Sequence, residues 1–279
     1  MGSSQQPSAY CTLLTNDGYV PAALVLAKSL RNTDTTLPLV VLVVPGTVSD
    51  ESRKKLQVLY DDIIEVPAIS GISNNNLMTI GRPDLHLTLT KLNLWSLAQY
   101  ERVLYLDADT LVIANLDHLF SLPKSIEFAA SPELGFPDCF NSGMMLLVPN
   151  DKRFAELKQL ATEIESFDGG DQGLLNVYFG DGTLGQPPTA DSQPHPWYRL
   201  SFTYNMEMHQ VYRMYIPAVL RYRAQHKVLH FIGKDKPWHF VDGKVDRPKD
   251  APGYFHFYAD MVEKWWAVRR EVDAMELLT

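Results

Sequence analysis

Several things that would point elsewhere are scarce in this chain. Only two cysteines occur in 279 residues, Cys11 and Cys139, both in apolar, strand-like surroundings. They read as reduced core residues of a cytoplasmic protein, not as a disulfide framework. No apolar run approaches the ~20 residues that a membrane span needs. Residues 1–8 are polar, lack the apolar core of a signal peptide, and are expected to be disordered. Gly2 is followed at position 6 by Gln, where a myristoylation signal wants Ser or Thr. No Lys/Arg block is present, and 25 basic against 33 acidic residues give a net charge of -8. Such a chain is a poor partner for nucleic acid or an anionic membrane.

What is present suits a folded α/β protein. Hydrophobic residues make up 46% of the chain, enough for a sizeable core. Ala9 to Thr15 reads as a buried strand, and Pro21 opens a helix carrying Ala23, Leu26, Ala27 and Leu30. Leu39 to Val44 is a second apolar strand, and a helix capped at Ser49 runs through Tyr60. Ile63 to Val66 is a third strand. This rhythm predicts a mostly parallel central sheet flanked by helices. Ser73 to Asn76 is turn-like. Thr88 to Tyr100 reads as a helix, and Arg102 to Leu106 as a strand. Another strand is expected from Met144 to Val148, a helix from Asp151 to about Ser166, and a loop from Gln186 to Pro196. Tyr254, Tyr258, Met261, Trp265, Val268 and Val272 share one helical face. The expected organisation is one catalytic domain over 9–245 and an amphipathic helix over 246–279 packed on it.

The most informative stretch is Val103-Leu104-Tyr105-Leu106-Asp107-Ala108-Asp109-Thr110. An apolar strand runs into two carboxylates one residue apart, which strand alternation would aim the same way. Two carboxylates so placed repel each other unless a cation lies between them, which suits a hard divalent metal holding a diphosphate. Taken alone, the pair also fits a turn or a cap. Four other stretches add to it. His230 follows a strand-like run, with Gly233, Lys234 and Lys236 close behind; Gly233 admits a close ligand and Lys236 a phosphate. Phe167-Asp168-Gly169-Gly170-Asp171-Gln172-Gly173 fits a helix N-cap, where polar ligands also bind. Asn141 and Ser142 precede a strand and suit either sugar hydroxyls or a turn. Lys91 in Thr88-Leu89-Thr90-Lys91 is either a surface charge or a phosphate contact.

Taken together and in this order, these stretches resemble the family 8 retaining glycosyltransferases, and most closely their glycogenin branch. Leu13-x-Thr15-Asn16-Asp17-x-Tyr19, Leu87 to Leu92, Asp107 to Val112, Asp138 to Gly143, Ser166 to Gly173, and His230-Phe231-x-Gly233-x-x-Lys236-Pro237-Trp238 carry the match. It covers about residues 9 to 240. The resemblance implies the GT-A, Rossmann-like nucleotide-sugar fold, with Mn²⁺ as cofactor and UDP-glucose as donor. It implies Asp107, Asp109 and His230 as metal ligands, with Ala108 between them. Leu13, Thr15, Asn16 and Tyr19 would line the uridine pocket, with Arg82 and Lys91 near the nucleotide. Gly233 and Lys236 would hold the diphosphate, and Asn141, Ser142, Asp168, Asp171 and Gln172 would surround the sugar and acceptor. The implied activity is glucosylation of the chain's own tyrosine, extended into a short α-1,4-glucan that primes glycogen. A homodimer, a growing α-glucan and glycogen synthase are the implied partners, although nothing after Lys244 reads as a synthase-recruiting segment.

Two departures matter. The acceptor segment reads Val211-Tyr212-Arg213-Met214-Tyr215, one residue longer between its tyrosines than the family pattern. Tyr212 is the expected acceptor and Tyr215 the second choice. Glu133 stands where the family carries Asp. Two other functions compete: a family 8 transferase acting on a free acceptor, like galactinol synthase, and an inactive nucleotide-sugar or glucan-binding scaffold.

Overall fold

The computed structural model describes residues 6–72, 75–79, 87–135, 138–180, 197–208, 215–250 and 253–276. Three apolar runs build the parallel half of a seven-stranded sheet. They are β1 (Ala9–Leu14) and β2 (Leu39–Val43), buried at every position, and the shorter β3 (Asp62–Glu65) at the edge. Helix α1 (Val20–Arg31) crosses from β1 to β2. Its first-turn Pro21 has no amide to leave unsatisfied, and Lys28 and Arg31 sit at its negative C-terminal end. Helix α2 (Asp50–Leu56) is capped as expected, with Ser49 Oγ accepting from the Ser52 amide at 3.3 Å, but it stops at Leu56 and continues only as turns toward Tyr60.

After the short α3 (Asn75–Thr79), the helix expected from Thr88 to Tyr100 is instead a 3₁₀ run over Thr88–Ser96. All of Leu89 to Trp95 is buried there, including Lys91, so this is a packed segment between layers and not a surface helix with one apolar face. Strand β4 (Val103–Leu106) pairs parallel with β1, and β5 (Thr110–Val112) leaves the sheet at once. Strands β6 (Phe128–Pro132) and β7 (Phe140–Leu147) return antiparallel, β7 beside β4, followed by α4 (Asp151–Glu163) and α5 (Asp171–Phe179). With β8 (Tyr198–Arg199) at the far edge, the order is β3-β2-β1-β4-β7-β6-β8. A second, three-stranded sheet that the sequence reading did not anticipate joins β5, β10 (Val228–His230) and β9 (Met206–Glu207).

The main sheet is covered on both faces. One core gathers α1 with the C-terminal helix, and the other gathers the 3₁₀ run, α4 and α5. After α6 (Ile216–Arg221), the long α7 (Gly253–Glu276) lies against α1. It buries Trp265 and Val262 completely and ties Glu271 to Lys28 at 2.9 Å. Gln6 donates to the Ala98 carbonyl, and the Pro7 carbonyl accepts from the Glu101 amide. No helix among the described residues is long and apolar enough to cross a membrane.

Candidate active site

The site forms where β1 and β4 end, because β7 and β10 reach the same edge. Antiparallel pairing sets Met144 of β7 opposite Leu106, so Phe140 to Gly143 run on past the end of β4. Asn141 and Ser142 therefore lie within a strand and not in the turn before one. The Asp107 amide donates to the Gly143 carbonyl at 2.8 Å. The two aspartates are not on a strand either. Thr110 closes a tight turn on the Asp107 carbonyl through its amide (3.0 Å) and its hydroxyl (2.8 Å). This turn, and not strand alternation, directs both carboxylates into one cleft. Thr110 in turn pairs with His230 across the small sheet, which brings the imidazole beside Asp109.

The Nε2 of His230 lies 3.2 Å from Asp109 Oδ1 and 3.6 Å from Asp107 Oδ2. One ligating atom from each of Asp107, Asp109 and His230 lies within 4.8 Å of the others. Two carboxylate oxygens and one imidazole nitrogen are a donor set for a divalent first-row metal. The backbone makes room for it: a Cβ on Gly143 would stand 2.1 Å from His230 Cε1, so only glycine admits the ring there. The residues present thus fit a bound cation.

Two buried lysines hold the same carboxylates. Lys236 Nζ lies 2.5 Å from Asp109 Oδ2 and donates to the Phe231 carbonyl at 2.7 Å. Burial disfavours the Asp109 charge, but Lys236 and His230 outweigh it and hold that carboxyl far below the usual range. Lys91 Nζ bridges Asp107 Oδ1 (3.0 Å) and Asp171 Oδ2 (2.8 Å), 5.1 Å above the Tyr105 ring. Burial opposes its charge, yet the two aspartates raise its pKa above the ordinary lysine value. At Asp171 the balance falls the other way. Burial, with Asp107 adding to it, raises that carboxyl despite Lys91.

The glycine-rich turn before α5 is organised by Asp168. Its Oδ1 accepts from Ser166 Oγ (2.7 Å) and the Gly170 amide (2.8 Å), and its Oδ2 from the Gly173 amide (3.0 Å). Gln172 accepts from the Ser142 amide at 3.1 Å, and Asn176 exchanges two hydrogen bonds with the Phe140 backbone. Together these elements enclose a cleft of about 310 Å³, near the low end for small-molecule sites.

The sequence signature of Glycosyl transferase family 8 matches residues 10–242. Glycogenin-1 of Mus musculus is 44% identical over 262 residues, covering 92% of this chain and 74% of its own. The chain belongs to the glycogenin family. Glycogenin-1 of Homo sapiens is 41% identical, covering 93% of this chain and 71% of its own. Glycogenin of Neurospora crassa is 39% identical over 96% of this chain, which spans only 36% of that longer protein. Two solved structures share the fold at low identity. They are the glycosyltransferase GlyE of Streptococcus pneumoniae TIGR4 (TM-score 0.57, 21% identity, 98% of this chain and 64% of that one) and the galactosyltransferase LgtC in complex with donor and acceptor sugar analogs (TM-score 0.55, 19% identity, 93% and 99%).

Of the residues that the glycogenin resemblance nominates, Leu13, Thr15, Asn16, Tyr19, Lys91, Asp107, Ala108, Asp109, Asn141, Ser142, Asp168, Asp171, Gln172, His230, Gly233 and Lys236 all line this cleft. Arg82 and Tyr212 lie outside the described residues. Tyr215 is 75% exposed, just before α6, and is not part of the cleft lining. Sequence reasoning missed Tyr105, whose hydroxyl donates to Asp107 Oδ1 at 2.6 Å. Its two-residue spacing from Asp107 was the available signal. It also missed Asn205 and Glu207, buried behind the cleft on and beside a two-residue strand that no periodicity reveals.

Proposed function

We propose that this chain is a Mn²⁺-dependent, retaining glucosyltransferase that moves glucose from UDP-glucose to its own tyrosine. It then extends a short α-1,4-glucan as a primer for glycogen. The observation that carries this reading is the meeting of Asp107, Asp109 and His230 beside Lys236, in a cleft lined by the glycogenin-like residues. The three ligands would hold the cation, which when bound supplies Lewis-acid charge to the diphosphate. The imidazole favours Mn²⁺ over Ca²⁺.

The chain's own residues do the rest. Leu13, Thr15, Asn16 and Tyr19 receive the uridine; a nucleotide contact from Arg82 rests on the family resemblance alone. Gly233, at a φ of 92°, gives the backbone a conformation that side chains resist, and it lets the diphosphate approach the loop. Lys236 places a buried positive charge where negative charge grows as UDP departs, so it stabilises the transition state more than the ground state. Lys91 keeps Asp107 and Asp171 together. Asp168 spends both oxygens on its own turn, which assigns it to positioning. Asp171 and Gln172, with Asn141 and Ser142, are left to face the sugar and acceptor. The acceptor is Tyr212; a neutral phenol, with an ordinary pKa of ~10, needs a base nearby. A homodimer in the cytoplasm, glycogen synthase as a partner, and a catalytic domain over 9–245 with a packed C-terminal helix complete the proposal. The extra residue before Tyr215 favours the second reading, a transferase for a free acceptor, which keeps the same donor chemistry.

Intact mass after incubation with UDP-glucose and Mn²⁺ tests both. A ladder of hexose additions that collapses in Tyr212→Phe supports self-glucosylation. No added mass, with EDTA-sensitive UDP release to small acceptors, supports the second reading. No UDP release at all leaves the scaffold.

A further inference from the structure

Behind the cleft lies a pair of carboxyl groups that the donor chemistry does not use. Glu133 Oε2 accepts from two amides of the cleft wall, Asn141 Nδ2 at 2.9 Å and Gln172 Nε2 at 3.0 Å. Glu133 itself lies outside the cleft lining. Its position is set by the hairpin, where its amide donates to the Cys139 carbonyl at 2.8 Å. Glu207, buried completely on β9, neighbours Glu133 and accepts from the Leu134 amide at 3.2 Å. Two neighbouring carboxyl groups avoid repulsion when one of them keeps its proton. Burial, then repulsion from Glu133, raises the Glu207 carboxyl well above the usual range, so Glu207 is the member of the pair that favours the protonated form.

The consequence reaches the cleft through amide polarity. A carboxylate only accepts, so both amides must turn their nitrogens toward Glu133. Their oxygens are fixed by the opposite contacts: Gln172 Oε1 accepts from the Ser142 amide at 3.1 Å, and Asn141 Oδ1 from the Gly143 amide and Asn205 Nδ2, both at 2.8 Å. Neither amide can flip without placing two acceptors or two donors together. Each keeps one N–H free of these contacts, at residues that line the cleft.

We propose that Glu133, backed by Glu207, is a positioning residue that fixes the amides of Asn141 and Gln172 and so sets which sugar hydroxyl pattern the donor site accepts. This deepens the transferase reading and rests on it. Hexoses that differ at one hydroxyl are told apart by fixed donors, because a misplaced hydroxyl leaves a buried polar group unpaired.

UDP release from UDP-glucose and from UDP-galactose, measured side by side with Mn²⁺, tests the proposal. Glu133→Ala is expected to lower kcat/KM for the preferred donor about tenfold or more, and to shrink the ratio between the donors by about as much. Glu207→Gln keeps an N–H aimed at Glu133, so its ratio is expected within about twofold of the parent's, whereas Glu207→Leu shifts the ratio toward that of Glu133→Ala. If Glu133→Ala does not fold, Glu133→Met keeps the length of the side chain but removes the acceptor, and carries the same expectation. An unchanged donor ratio in the folded Glu133 variant overturns the proposal while leaving the transferase reading intact. A parent chain that releases UDP from neither donor overturns both.

Discussion

Gly143→Ala tests whether the site is as tightly built as its geometry says. The added Cβ would sit 2.1 Å from His230 Cε1, 2.6 Å from Nδ1 and 2.9 Å from Asn141 Oδ1. Ordinary contact begins near 3.4 Å, so the imidazole must retreat by about 1.3 Å, the difference between 3.4 and 2.1. Gly143 cannot yield instead. It lies inside β7, where its carbonyl holds the Asp107 amide and its amide is bonded to Asn141. Metal–ligand distances tolerate deviations of only about 0.2 Å, and disturbing what orients a ligand commonly costs ~10–100-fold in metal affinity. Overpacking adds ~1–3 kcal/mol of lost stability. The expected result is a cation requirement for UDP release raised by at least about tenfold, in a protein that still unfolds cooperatively. The assay is UDP release titrated with Mn²⁺, alongside urea unfolding to separate loss of fold from loss of the ligand. A Gly143→Ala protein that is half-activated at the parent's Mn²⁺ concentration would refute the reasoning, because the ring would then not be a ligand held at that place.

Gly173→Ala strikes the turn before α5. Its Cβ would stand 2.3 Å from Ser166 Oγ and 2.4 Å from Asp168 Oδ1, so the Asp168 bonds to the turn must open. Destabilisation of ~1–3 kcal/mol is expected, with kcat falling more than the affinity for UDP, read from urea unfolding and from UDP titration; a kcat equal to the parent's would contradict the positioning role. His226 predicts a pH dependence on the far side of the small sheet. Its Nε2 is buried without a hydrogen-bond partner among the described residues, between Phe202 and Phe257 of α7. Burial first, and Lys264 second, push its pKa below the ordinary histidine value. The unfolded chain therefore takes up this proton more readily. The stability associated with neutral His226 is complete above the unfolded pKa of ~6.5 and declines as pH falls toward the lower folded value. Melting temperatures between pH 7.5 and 5 are expected to drop less in His226→Phe than in the parent, and parallel curves would exclude His226 as the cause.

How much of this was legible beforehand depended on whether local pattern or long-range pairing decided each feature. Strands β1, β2 and β4 are buried on both faces, so their apolar runs announced a parallel sheet directly. The 3₁₀ run at Thr88–Ser96 reads in sequence as a helix because its apolar residues do recur. Burial on all sides, which the pattern cannot show, compresses it between layers. Strand alternation points to Asp107 and Asp109, yet they share a turn and not a strand. The same residues still converge, because a turn closed on Thr110 also gathers carboxylates separated by one residue. Tyr105 and Lys91 sit in stretches already singled out, and what was hidden is that they join Asp107 and Asp171 in one buried network. Glu207 was beyond reach, since a two-residue strand leaves no periodic trace and its partner Glu133 is 74 positions away in the chain.

The charge balance of the cleft explains why an acidic protein can take an anionic donor. Asp107, Asp109 and Asp171 bring three carboxylates together, and Lys91 and Lys236 answer with two ammonium groups. Those five side chains alone leave one net negative charge where a diphosphate would have to enter. The lysines cannot meet the phosphates and the carboxylates equally well, because each is already engaged at 3.0 Å or less. A divalent cation on Asp107, Asp109 and His230 would reverse the local sign and relieve Lys236 of part of its hold on Asp109. That would free the Lys236 charge to act on the departing phosphate. Such a cation would then be a condition for admitting the donor as well as an aid to breaking its bond. The two lysines, which the sequence offers as phosphate contacts (Lys91 equally as a surface charge), hold the three carboxylates together in the structure.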